Sequence, residues 1–109
     1  MGLFEKDHVV RLLEQLTKRM AAARGLVAGG RPGDALESIQ EARRTLAGPL
    51  AATLERVDGA TVVALVGVER ARAYAELSTL EAQARDALGD GAAARRAEAR
   101  ASEVQRALG

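Results

Sequence analysis

The side chains with chemical potential in this 109-residue chain are one histidine, three serines, no cysteine, and a large set of arginines and carboxylates. The lack of cysteine excludes disulfides, thiolate metal sites and a cysteine nucleophile. On a helix, His8 shares a face with Glu5, but two ligands fall short of the three or four that hold zinc, so His8 reads as a solvated first-turn residue. Ser38, Ser78 and Ser102 all fall inside helical patterns, away from any strained elbow where a Ser–His–acid arrangement would form. Glu37 and Glu41 lie one helical turn apart and read as a solvated face, since nothing in the pattern buries them and shifts their pKa. No catalytic group, metal or cofactor is expected.

Two further stretches carry a chemical echo. Gly25-Leu-Val-Ala-Gly-Gly30-Arg31-Pro32 has the glycines of a phosphate-binding loop. That chemistry needs Lys at 31 and Ser or Thr at 32, with a strand before the loop; here Arg and Pro follow a helical segment. Arg95, Arg96, Arg100 and Arg106 make the last segment locally basic, offset by Glu98 and Glu103 and without aromatic stacking partners. They read as an exposed helix face, with weak nucleic-acid binding as an alternative.

The elements that must position these residues are helical. The chain holds 24 alanines against 14 leucines, with one Phe, one Tyr and no Trp. Alanine is the best helix former and leaves little side chain to pack, so helices should approach closely around a thin core. Sixteen basic residues nearly cancel fifteen acidic ones, so no domain-wide field collects nucleic acid or anionic lipid. The longest apolar run, Ala60 to Val68, is nine residues against the roughly 20 that span a bilayer. The first residues lack the basic-then-apolar order of a signal peptide. A single all-α domain over residues 1–109, cytoplasmic and without a membrane partner, is the expectation.

Along the chain, Val9, Leu12, Leu13, Leu16, Met20, Ala23 and Val27 recur at three- and four-residue steps and predict a helix over about 5–28. Gly29-Gly30 ends it, and Pro32 suits the first turn of the next. That second helix, about 32–46, packs through Ala35, Leu36, Ile39, Ala42, the stem of Arg43 and Leu46, and Gly48-Pro49 stops it. A short segment over 50–57 carries Leu50, Leu54 and Val57, and Asp58 is placed to cap a helix over 60–66. A break near Gly67 precedes a helix over 68–88, with Ala73, Leu77, Leu80, Ala84 and Leu88 on its face. Gly89-Asp90-Gly91 turns into a last helix over 92–108, packing through Ala93, Ala97, Ala101, Val104 and Leu108. The stretch Ala60–Val68 is apolar around most of the helix. Either it lies at the centre of the fold or one side is a contact surface; the shortage of other large side chains favours the centre.

The turn at Gly30, followed by Ala35, Ile39 and Ala42, is similar to the tetratricopeptide repeat, with Met20, Ala23 and Leu26 facing it from the first helix. A second turn, Gly89-Asp90 with Ala94 and Ala101, lies 59 residues on. There Glu98 stands at the bulky position and Arg85 at the facing aromatic one, so either an Arg85–Glu98 ion pair replaces that packing or the register differs. The whole chain also resembles a family of uncharacterised small bacterial proteins that share a His8-Val-Val-Arg11-Leu-Leu-Glu-Gln15-Leu16-like first helix, the glycine turn and a second hairpin.

The resemblance implies two antiparallel helical hairpins joined by short connector helices, with a groove lined by the first helix of each. The candidate contact residues are then Thr17, Arg24, Glu76, Gln83 and Asp86. Two hairpins are fewer than the three or so repeats that a stable stack needs. Either the connector supplies the missing neighbour or a second copy does, and a homodimer is the favoured solution. The function so implied is a non-enzymatic protein–protein interaction or self-assembly module. The alternative is a helical protein with a ligand or catalytic pocket between helices, which a buried polar cluster would support.

Overall fold

The computed structural model describes residues 2–109, with side chains from Asp7 onward; Glu5, half of the Glu5–His8 pair, lies outside the described side chains. Its elements are α1 (Gly2–Ala28), α2 (Pro32–Ala47), a 3-10 turn at Gly48–Leu50, α3 (Ala51–Leu54), α4 (Gly59–Val66), α5 (Val68–Ala87) and α6 (Gly91–Leu108). Among the described residues there is no strand, and the protein is all-α. No helix among them is long and apolar enough to cross a membrane.

The two glycine turns are one hydrogen-bonded motif used twice. After α1, the Arg31 N–H donates to the Leu26 carbonyl (2.8 Å) and the Gly30 N–H to Val27 (3.1 Å). After α5, the Asp90 N–H donates to Arg85 and the Gly89 N–H to Asp86, each at 2.9 Å. Both are Schellman closures, which satisfy the last helical carbonyls through one residue of positive φ: Gly30 at 77° and Gly89 at 80°. Each turn is three residues long, so α1 returns along α2 and α5 along α6.

α5 is the axis of the molecule and packs against α1, α2, α4 and α6. One buried stripe would not serve four neighbours. The expected face of Ala73, Leu77, Leu80 and Ala84 is buried, and so are Ala71, Tyr74, Ala75, Ser78 and Ala82 on the other sides. Five of those nine are alanines, whose small side chains let neighbouring helices crowd in around them. Leu88, expected on that face, is half exposed, because it sits in the turn past the last helical residue.

The connector contributes to the core. Leu54 of α3 and Val62 of α4 are fully buried, and Asp58 caps α4 by accepting the Thr61 N–H at 2.8 Å. α4 packs on α6 and α5. The Ala60–Val68 stretch is thereby divided. Val62 and Val66 face inward, while Leu65 and Val68 are exposed at 41% and 47%.

Candidate functional site

Two surfaces on opposite sides of α5 gather polar side chains around a concavity. The first lies between α1 and α5. Arg24 meets Glu76 at 3.4 Å, and Leu13 and Thr17 flank Glu69, so the two helices run parallel with their contacts in the same order. Between them is a depression of about 450 Å³ floored by Leu13, Met20 and Ala73. It continues past Thr17 and Glu69 into a more apolar hollow that exposed Val10 borders. Arg24 and Glu76 are both more than half exposed, so their pair adds little stability.

Of the five candidate contact residues, the structure brings Thr17, Arg24 and Glu76 into this groove. Gln83 and Asp86 line a separate depression of about 510 Å³ between α5 and α6, with Arg95, Glu98 and Ser102. The proposed Arg85–Glu98 pair is absent. Arg85 instead donates through Nε to Glu81 Oε2 at 3.2 Å, on the far side of α5 from Glu98.

The second surface is formed by α2, α5 and α6. At 100° per residue, Tyr74, Ser78, Glu81 and Arg85 point roughly 150° away from the groove residues Glu69, Arg72, Ala73 and Glu76. Here the Arg43 head is enclosed along with its stem, at 16% side-chain exposure, where a solvated head was expected. Its Nη1 lies 2.6 Å from Glu81 Oε1, and its Nη2 donates to Ser78 Oγ at 3.3 Å. Ser78 is fully buried and donates in turn to the Tyr74 carbonyl at 3.1 Å. Arg43 Nε is buried without a hydrogen-bond partner, and the guanidinium carbon stands 5.7 Å from the Tyr74 ring centroid.

A second guanidinium, that of Arg100, stands over the same ring at 5.7 Å. Arg100 also donates to Glu103 Oε1 at 3.2 Å and to the Leu54 carbonyl that ends α3. Burial works against its charge, but the Tyr74 hydroxyl and the Glu103 carboxylate more than compensate, and its pKa rises above the ordinary value. These groups surround a polar pocket of about 460 Å³ that Arg85, Arg96, Glu55 and Asp90 also line. Arg43, Tyr74, Ser78 and Glu81 were not singled out as a site from the sequence. The available signals were an arginine at an inward-facing position of α2 and a serine inside the α5 pattern.

The C-terminal arginines do not all share one face. Arg100 is held in the Tyr74 network, Arg96 lines the same pocket, and Arg95 lines the depression on the other side of α6. No group of three or more potential metal-ligating side chains occurs among the described residues.

No protein-family model, curated protein or solved structure matches this chain.

Proposed function

We propose that the protein is a non-enzymatic interaction module of the cytoplasm that assembles with a second copy of itself through the α1–α5 groove. The likeness to tetratricopeptide hairpins and to small bacterial proteins supports it, with Thr17, Arg24 and Glu76 at the contact and Gln83 and Asp86 outside it, in the depression between α5 and α6. The observation that carries it is the groove itself. An apolar floor runs between two parallel helices and ends at Val10, one of the few large apolar side chains left about half exposed. Exposed apolar surface of this kind, rimmed by charge, is what an association surface needs.

The charges along the groove favour a second copy. Among the described residues, the Val10 end has one cation, Lys18, against Glu14 and Glu69. The Arg24 end has Arg24 and Arg72 against Glu76. A twofold axis across the groove lays each end on the other end of the partner, so the acidic excess meets the basic one.

The test is molar mass by light scattering over a dilution series, on the natural chain and on Val10→Glu. A dimer that dissociates on dilution, and earlier in Val10→Glu, supports the reading. A monomer at every concentration overturns self-assembly.

A further inference from the structure

The pocket between α2, α5 and α6 has more guanidinium than its carboxylates satisfy. Glu81 serves both Arg43 and Arg85, and Asp90 is engaged at the start of α6, where it accepts the Ala93 N–H at 3.1 Å. Arg100 is committed to Glu103 and the Leu54 carbonyl. Two forks remain at the mouth. Arg85 uses only its Nε on Glu81, and Arg96 has no hydrogen-bond or ion-pair partner among the described residues. Four arginines and three carboxylates line one concavity, and Glu103 pairs with Arg100 from outside it, so what remains over is unengaged N–H groups and not net charge; Glu55 is the one lining carboxylate that bonds to no described residue.

A planar guanidinium with free N–H groups recognises two oxygens of one anion at a time. The first turn of the 18-residue α6, which begins beside the pocket, adds partial positive charge. A volume of about 460 Å³ suits a small molecule. From this we propose that the pocket binds a small oxyanion, a phosphate or carboxylate group held between Arg85 and Arg96 over the Tyr74–Arg43–Glu81 network. The network is the rigid floor: its arginines are locked by hydrogen bonds that cannot be given up to a ligand without stranding buried charge. The free forks at the rim make the contact. Glu55 opposes it by like charge, which keeps affinity modest and favours a ligand carrying its own cation.

The site shares no residue with the α1–α5 groove, so it stands or falls separately from self-assembly. The experiment is an NMR titration of backbone amides at constant ionic strength, with inorganic phosphate in one arm and succinate in the other. Saturable shifts at residues 90–97 are expected, and the arm that saturates first identifies the oxyanion. Arg96→Ala, an exposed change to a better helix former, should keep the melting temperature and weaken binding about tenfold. Glu55→Gln should tighten it about threefold by removing the opposing charge. Absence of saturation in both arms up to about 20 mM, or equal binding by Arg96→Ala, would overturn the proposal.

Discussion

Gly59 lies directly against the backbone of α6: a Cβ on it would come within 2.6 Å of the Glu103 carbonyl oxygen. The Gly59 N–H donates to the Glu103 carboxylate at 2.7 Å, so one residue of α6 both packs against the start of α4 and satisfies it. This contact seats the connector on the second helix pair and closes the core around Val62 and Val104, both fully buried.

Gly59→Ala should therefore force the two backbones apart. The expected loss is about 2 kcal/mol, or roughly 10 °C in melting temperature, read by calorimetry. Gly33→Ala is the contrasting variant. Gly33 is exposed near the start of α2 with nothing within 4 Å of an added Cβ, and the change should stabilise by about 0.5 kcal/mol. Equal effects of the two substitutions would refute the close approach.

The Asp58 cap predicts an acid-sensitive α4. Hydrogen bonding from Thr61 lowers the Asp58 pKa below its ordinary 3.8. Because the folded value is the lower one, the cap's contribution is complete above 3.8 and is lost as pH falls through the lowered value. The Thr61 amide resonance should move in that acid range, and Asp58→Asn should abolish the shift while keeping a capping oxygen.

Glu81 is the common partner of Arg43 and Arg85, which makes its loss worse than the loss of either arginine's outer contact. Glu81→Ala strands the enclosed Arg43 charge and should cost about 2–3 kcal/mol in urea unfolding. Arg85→Ala removes a more exposed partner and should cost under about 1 kcal/mol. The reverse order would show that Glu81 does not hold the network together.

Arg24→Glu separates folding from assembly. The exposed pair with Glu76 contributes little, so the melting temperature should fall by no more than a few degrees. The same change reverses the charge at the basic end of the groove and should weaken the proposed dimer at least about tenfold by light scattering.

Much of the architecture is local and was legible residue by residue. The α1 stripe, the Asp58 cap, the Gly67 break and the two glycine turns all depend on groups within five positions of one another along the chain. Where the reading departed from the structure, the cause was an adjoining turn or a neighbour from elsewhere in the chain. Leu88 continued the apolar spacing of α5 but the Schellman turn carried it to the surface. Arg43 read as a stem with a solvated head because no helical pattern announces that Ser78, 35 residues away, will meet it. The Ala60–Val68 stretch read as central; α4 instead buries one side and leaves Leu65 outside, and Val68 is exposed at the start of α5.

The amino-acid sequence alone determined that the chain is helical, where its longer helices start and stop, and which side of α1, α2 and α6 turns inward; the segment expected over 50–57 is helical only over Ala51–Leu54. Those outcomes follow from hydrogen bonds three to five residues long and from the period of apolar side chains. Only the tertiary structure decided that α5 would be enclosed on nearly all sides, that α4 would rest on α6 at Gly59, and that Arg43 and Arg100 would meet over Tyr74. Each of these depends on helices far apart in sequence coming close in space, through small side chains that constrain distance more than they announce a partner.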